Sequence, residues 1–195
     1  MGKLQEVEVK YPLLNQSKVL SVLKTLGAEK KVDNQYQLDI YFTPSHKDFL
    51  DNEIVSEWLR IRKTEKKNTV NFKRWLPVGA KIQTHCDEFE VNINDVETME
   101  MIFKSLDFQE IIRVEKTRNS WVLNGIEISI DAVEGLGCFI ELEAIDKVEE
   151  KDIPLVHEKF KNLLGLLNAE TGEQDRRGYP YLIIEMKKGS NNNVP

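Results

Sequence analysis

The 195-residue chain is poor in cysteine and histidine, has no long apolar run and carries no excess of basic charge, and each shortage excludes something. Two cysteines, Cys86 and Cys138, cannot build a disulfide framework and suit a reducing, cytoplasmic setting. His46, His85 and His157 form no cluster that could hold zinc, and His85 beside Cys86 reads as a loop or strand-edge residue. No apolar stretch approaches the length that spans a bilayer, so no membrane association is expected. The N-terminus turns polar soon after Met1, which leaves no secretory apolar segment. A net charge of −6 and a pI near 5.3 argue against a nucleic-acid partner. Neither a Walker A glycine loop nor a GxGxxG turn is present, so phosphate recognition through a helix N-terminus is not signalled.

What is present is charge on a regular beat. Charged residues make up 31% and hydrophobic ones 41%, which fits one soluble domain with an unusually charged lining or surface. In Glu6-Val7-Glu8-Val9-Lys10, strand alternation puts Glu6, Glu8 and Lys10 on one face and the valines on the other. The pattern recurs. Trp58, Arg60 and Arg62 oppose Leu59 and Ile61; Asn71 and Lys73 oppose Val70 and Phe72; Glu88 and Glu90 oppose Phe89 and Val91. Lys116 and Arg118 share one face of a strand expected from Ile112 to Val122. Asn124-Gly125 signals a hairpin whose return strand sets Glu127, Ser129 and Asp131 against Ile126, Ile128 and Ile130. After Gly135-Leu136-Gly137, Phe139, Glu141 and Glu143 oppose Ile140 and Leu142. With one more strand at Tyr36 to Phe42, the count is roughly eight.

Helical spacing predicts helices from Asn15 to Leu26, from an Asn94–Glu97 capping box to Leu106, and from Asp152 to about Leu167. Residues 43–56 read as a mobile loop, Asp175 to Met186 as either a strand or a short helix, and 187–195 as a disordered tail behind a single domain over 1–186. The apolar helix faces need a partner surface, and the only large one is the branched face of the strands. In a sandwich or small barrel the charged faces would meet solvent, whereas helices over the branched faces leave a curled or closed sheet with its charged faces turned inward. A dry lumen lined by both signs would be very costly, so it must hold water, cations and a highly charged ligand. Polyphosphate suits it. Arginine and lysine neutralise phosphate oxygens, while carboxylates hold Mg²⁺ or Mn²⁺ through oxygen-only ligation.

These residues, taken as an ordered set over 6 to about 182, resemble the CYTH family, which joins class IV adenylyl cyclases to thiamine and inorganic triphosphatases. The resemblance is carried by Glu6-x-Glu8-x-Lys10, Leu59-Arg60-Ile61-Arg62, Phe72-Lys73, Glu88-Phe89-Glu90, Lys116-Thr117-Arg118 and the run from Asp131 to Glu143. It implies an α+β fold, a closed eight-stranded antiparallel β-barrel with helices packed outside, whose tunnel binds a triphosphate with a divalent metal. Glu6, Glu8, Asp131, Glu141 and Glu143 would face the metal; Lys10, Arg60, Arg62, Lys73, Lys116 and Arg118 would hold phosphate oxygens. Lys10, Arg60, Lys116 and Glu141 would be the catalytic group. The Gly135-to-Glu143 run, with Thr171-Gly172-Glu173 and Tyr179, is similar to the cyclase branch, although the His-Phe pair of the best-described cyclases has no room before Glu6. Trp58-Leu59-Arg60 is similar to thiamine triphosphatases, so Trp58 either covers a base or thiamine ring or packs in the core. The implied activity is conversion of ATP to cyclic AMP and pyrophosphate, with hydrolysis of thiamine triphosphate or tripolyphosphate as the alternative. A non-catalytic polyphosphate binder is the remoter one, since anion binding alone needs no paired acids. A cytoplasmic monomer or homodimer is expected.

Overall fold

Alternation of ionisable with branched residues makes each strand two-faced, and the structure sorts those faces to opposite sides of one curled sheet. The computed structural model describes residues 4–52, 54–174 and 177–191. The elements run β1 (Leu4–Gln5), β2 (Glu8–Pro12), α1 (Gln16–Thr25), β3 (Glu29–Pro44), β4 (Glu57–Thr64), β5 (Asn68–Leu76), β6 (His85–Ile93), α2 (Val96–Ser105), β7 (Phe108–Leu123), β8 (Ile126–Val133), β9 (Gly137–Ala144), β10 (Val148–Glu149), α3 (Ile153–Leu166) and α4 (Tyr179–Asn191). Eight strands form one antiparallel sheet in the order β2-β9-β8-β7-β3-β4-β5-β6, while β1 and β10 pair separately. The sheet curls until its edges meet: an antiparallel bridge joins Glu6, just before β2, to Cys86 of β6, through N–H···O bonds of 3.4 and 3.0 Å. The hairpin at Asn124-Gly125 forms as expected, both residues having the positive φ (+52° and +75°) that a tight primed turn demands.

The branched faces bury outward. Val19 and Leu23 of α1 and Ile153, Val156, Phe160 and Leu163 of α3 pack on Val9, Ile126, Ile128, Ile130, Ile140 and Leu142. On the other half of the barrel, Val96 and Phe103 of α2 cover Ile40, Phe42, Leu59 and Ile61. The fourth helix does something different. Tyr179 and Ile183 of α4 sit among Tyr41, Trp58, Ile112, Val114, Val133 and Phe139, which lie on the inner face at one end of the sheet. There the inner face has no charge to solvate, and α4 closes that end as an apolar plug.

The structure departs from expectation at several boundaries. β3 and β7 each run for 16 residues, because the polar segment from Glu29 to Gln35 pairs with Arg118–Val122 despite having no apolar alternation to betray it. The register shifts within that segment, where Asn34 has φ +47°. The N-cap of α2 is Asp95 rather than Asn94, its carboxylate accepting the Thr98 N–H at 3.0 Å. The stretch 43–56 is not a free loop: Thr43 and Asp48 accept the N–H groups of Phe49 and Leu50 at 2.9 Å, and Phe49 is buried under α2. Of the segment left open between strand and helix, α4 makes it helical and continues to Asn191, into the expected tail; 175–176 and 192–195 lie outside the described residues.

Phe160 is 1% exposed at the centre of the larger outer cluster. Phe160→Ala should lower unfolding free energy by about 3–5 kcal/mol, read from urea denaturation. A loss under about 1 kcal/mol would mean that α3 does not carry this half of the barrel.

Candidate functional site

Cross-strand register decides which inward charges meet. Lys10 faces Glu141, Arg62 faces Asp39, Arg118 faces Asp131 and Lys73 faces Glu88. Opposite charges at facing positions stabilise a sheet. The side chains complete these pairs: Lys10 Nζ lies 2.9 Å from Glu141, and Arg62 forks onto Asp39 at 2.6 and 2.7 Å. Arg118 forks onto Asp131 at 2.7 Å through both nitrogens and reaches Glu141 at 2.9 Å. Lys116 and the Tyr179 hydroxyl donate to the same Asp131 carboxylate at 2.8 and 3.0 Å. Lys73 lies 2.7 Å from Glu6, 2.8 Å from Glu8 and 3.5 Å from Glu88.

One row breaks the rule. Glu8 faces Glu143 across β2 and β9, and Glu143 faces Glu127 across β9 and β8. Like charges directly opposite repel. Oxygens of Glu8, Glu141 and Glu143 come within 4.8 Å of one another, the one such trio of potential metal-binding side chains among the described residues. Glu6 and Asp131 stand outside it. Glu6 is held by Lys73, and Asp131, fully buried, already has four donors on its carboxylate.

The remaining sequence-predicted residues all line one cavity of about 760 Å³, together with Glu88, Glu90 and Glu127. Arg60 approaches Asp39 only at 3.6 Å, and its buried Nε has no partner among the described residues. Trp58 faces the cavity but is only 6% exposed, edge-on to Tyr41 at 5.6 Å and close to Gly178, with its indole N–H buried and unpartnered among the described residues. Two participants escaped the sequence reading. Asp39 is completely buried as the counter-ion of Arg62, and the alternation of Gln37, Asp39 and Tyr41 against Leu38, Ile40 and Phe42 was the signal that could have found it. Tyr179, noted only as a family likeness, brings its ring under both Lys10 (4.3 Å) and Lys116 (5.1 Å).

The electrostatics follow this layout. Burial, then the charges of Glu8 and Glu6, pushes the Glu143 carboxyl up to about 9. Burial and a hydrogen bond with Glu88 push Glu6 up to about 8, while Glu88, buried too, is held at about 2 by Lys73 and that same bond. Burial, then the Arg118 charge, pushes the Lys116 amine down to about 7, against the pull of Asp131. Asp39 and Asp131 stay far below the carboxylate range: burial opposes ionisation, and the neighbouring arginines outweigh it. The site thus divides into a neutralised wall and an acidic corner that retains protons. A carboxylate trio with oxygen-only donors and surplus negative charge fits a hard divalent ion such as Mg²⁺ or Mn²⁺.

Comparison with known proteins agrees with this geometry. The family model described as "CYTH domain" matches residues 4–179. A Methanocaldococcus jannaschii protein named as a candidate adenylate cyclase is 39% identical over 175 residues, 89% of this chain and 95% of that one. The Aeromonas hydrophila adenylate cyclase CyaB is 25% identical over 191 residues, covering 97% and 94%. Among solved structures, the PH1819 protein of Pyrococcus horikoshii superposes with a TM-score of 0.76 at 30% identity, covering 93% of this chain and 99% of that one.

The raised Glu143 carboxyl gives a pH signature in metal-free protein. Between its ordinary 4.5 and about 9, the folded state keeps a proton that the unfolded chain has lost, so stability falls as pH rises. Glu143→Gln cannot take part in that loss, and its stability advantage over wild type should widen from pH 5 to pH 9 in denaturant titrations. An advantage that stays flat would mean that Glu143 ionises freely.

Proposed function

The chain belongs to the CYTH family, and from that membership and the cavity we propose that it is a metal-dependent enzyme that cleaves a triphosphate, most directly ATP to cyclic AMP and pyrophosphate. The carrying observation is the juxtaposition of the Glu8–Glu141–Glu143 trio with a wall of Lys10, Arg60, Arg62, Lys116 and Arg118 in one cavity. Pure anion binding would need only the wall. When bound at the trio, the divalent ion would polarise phosphate oxygens and make an attacking hydroxyl more acidic. The chain's own residues do the rest. Arg60, 3.6 Å from its nearest carboxylate, is the guanidinium least committed to an acid and the readiest for a phosphate oxygen. Lys10 and Arg118 are spaced by their shared partner Glu141, so an anion arriving between them finds positive charge already oriented. Lys116, held by Asp131 and Tyr179, fixes the inner end of the phosphate track. In the cyclase form the ribose 3′-hydroxyl attacks the α-phosphorus and pyrophosphate departs, which demands that the base be gripped so that the ribose folds back. The names of the two relatives support this form.

A hydrolase reading is favoured by one observation. Trp58, the best aromatic for a base, is already covered by Tyr41 and by the start of α4, leaving the phosphate grip as the better exposed part. Water attack on the terminal phosphorus needs only that grip. Products from ATP, thiamine triphosphate and tripolyphosphate, measured side by side with Mg²⁺ or Mn²⁺, separate the two. Cyclic AMP from ATP supports the cyclase; orthophosphate as the only product, with tripolyphosphate the best substrate, overturns it.

Activity should vanish with chelator and return with Mg²⁺ or Mn²⁺. Glu8→Gln should abolish turnover without loss of fold, because it relieves the repulsion across β2 and β9. Glu141→Gln should abolish turnover and also destabilise, since it leaves Lys10 and Arg118 short of a partner. Normal turnover in Glu8→Gln would remove the trio from the mechanism. If the base is gripped at Trp58, Trp58→Ala should raise KM for ATP or thiamine triphosphate roughly tenfold, the scale of one stacking contact. Tripolyphosphate cleavage should barely change. Equal effects on all three substrates would make Trp58 a packing residue.

A further inference from the structure

Lys73 stands apart from the other cations of the cavity. Arg62 forks onto one carboxylate, Arg118 forks onto Asp131 and touches Glu141, and Lys10 pairs with Glu141, whereas the Lys73 ammonium is surrounded by three acids, Glu6 at 2.7 Å, Glu8 at 2.8 Å and Glu88 at 3.5 Å. These acids come from two pieces of chain: the continuous stretch 6–8 that leads into β2, and β6. They converge because the Glu6–Cys86 bridge ties the two edges of the sheet at this point and Lys73 faces Glu88 across β5 and β6. The ammonium donates to Glu6 and Glu8, and Glu88 stands beside them at ion-pair distance. That is the coordination a hard cation would have, supplied by a tethered side chain. Glu8 is also a member of the Glu8–Glu141–Glu143 trio, so the ammonium and the trio adjoin and share one carboxylate.

Resting on the metal-dependent reading above, we propose that Lys73 is a built-in cation that occupies a second cation position at Glu6, Glu8 and Glu88, confining the substrate-free protein to one divalent ion at the trio. Its role is positioning. It neutralises the acids at the sheet seam, keeps Glu8 turned so that its remaining capacity serves the trio, and limits the positive charge that an incoming triphosphate meets. The ammonium cannot leave with the product, as an exchangeable ion can. On the opposite side of the cavity, Asp39 and Asp131 are filled by arginine forks, which leave no comparable position there.

The test is metal stoichiometry rather than turnover. The full-length chain, free of substrate, is titrated with Mn²⁺ and bound ions are counted by electron paramagnetic resonance and by calorimetry. Wild type should bind one Mn²⁺ per chain. Lys73→Met, close in length and without charge, should bind two, and Lys73→Arg should return the count to one. Circular dichroism establishes that the variants are folded; if Lys73→Met does not fold, Lys73→Gln takes its place in the count, with the same two ions expected. Two ions in wild type, or a single ion in folded Lys73→Met, overturns the inference while leaving the metal reading intact. No ion in wild type and none in either variant overturns both.

Discussion

A carboxylate facing a carboxylate across adjacent strands is the interaction around which the inner surface is arranged. Glu8, Glu143 and Glu127 lie in one row over β2, β9 and β8, where register alone sets them together. Left to itself this row would destabilise the sheet. The structure answers it unevenly. Lys73 and Lys10 neutralise the flanks, but burial, together with the charges of Glu8 and Glu6, pushes the Glu143 carboxyl up to about 9. An acidic corner that binds protons so readily is also one that welcomes a divalent ion, and the repulsion stored in the register is what a bound cation would relieve.

Everything else in the lumen is a complement to that corner. Asp39 and Asp131 are buried completely, and each is bound by two basic side chains. Such pairs recover the cost of desolvation only with good geometry and full hydrogen bonding, which the paired forks provide. They stabilise little in net terms. Their value is orientation: each fork fixes a guanidinium through one edge on the wall of the cavity. The outer clusters supply the stability that this arrangement lacks, since α1, α2 and α3 bury the branched faces of the same strands.

Helix α4 joins the two halves of this design. It plugs the uncharged end of the barrel with Tyr179 and Ile183, yet the Tyr179 hydroxyl reaches Asp131 and its ring supports Lys10 and Lys116. Apolar closure and the basic wall therefore meet in one residue. Among the described residues no helix is long and apolar enough to cross a membrane.

Much of this was legible in the residues themselves. Period-two alternation identified the strands and assigned each ionisable side chain to a face, because a strand leaves no choice of side beyond parity. The apolar stripes of α1, α2 and α3 then required a partner surface, and that demand turned the charged faces inward. Parity could not say which charge meets which. That depends on register and on the curl that brings β6 back to the chain before β2, so the isolation of Asp131 from the carboxylate trio and the capture of Lys73 by three acids were decided by tertiary structure. Parity with Gln37 and Tyr41 puts Asp39 on the inward face, but its pairing with Arg62 depends on register, and the burying surface of α4 lies inside the barrel and exists only once the sheet has curled around it. Alternation is a local property of the chain and can be read from it, whereas contact across strands is a property of the closed sheet and arises only when the ends of the chain's path are brought together.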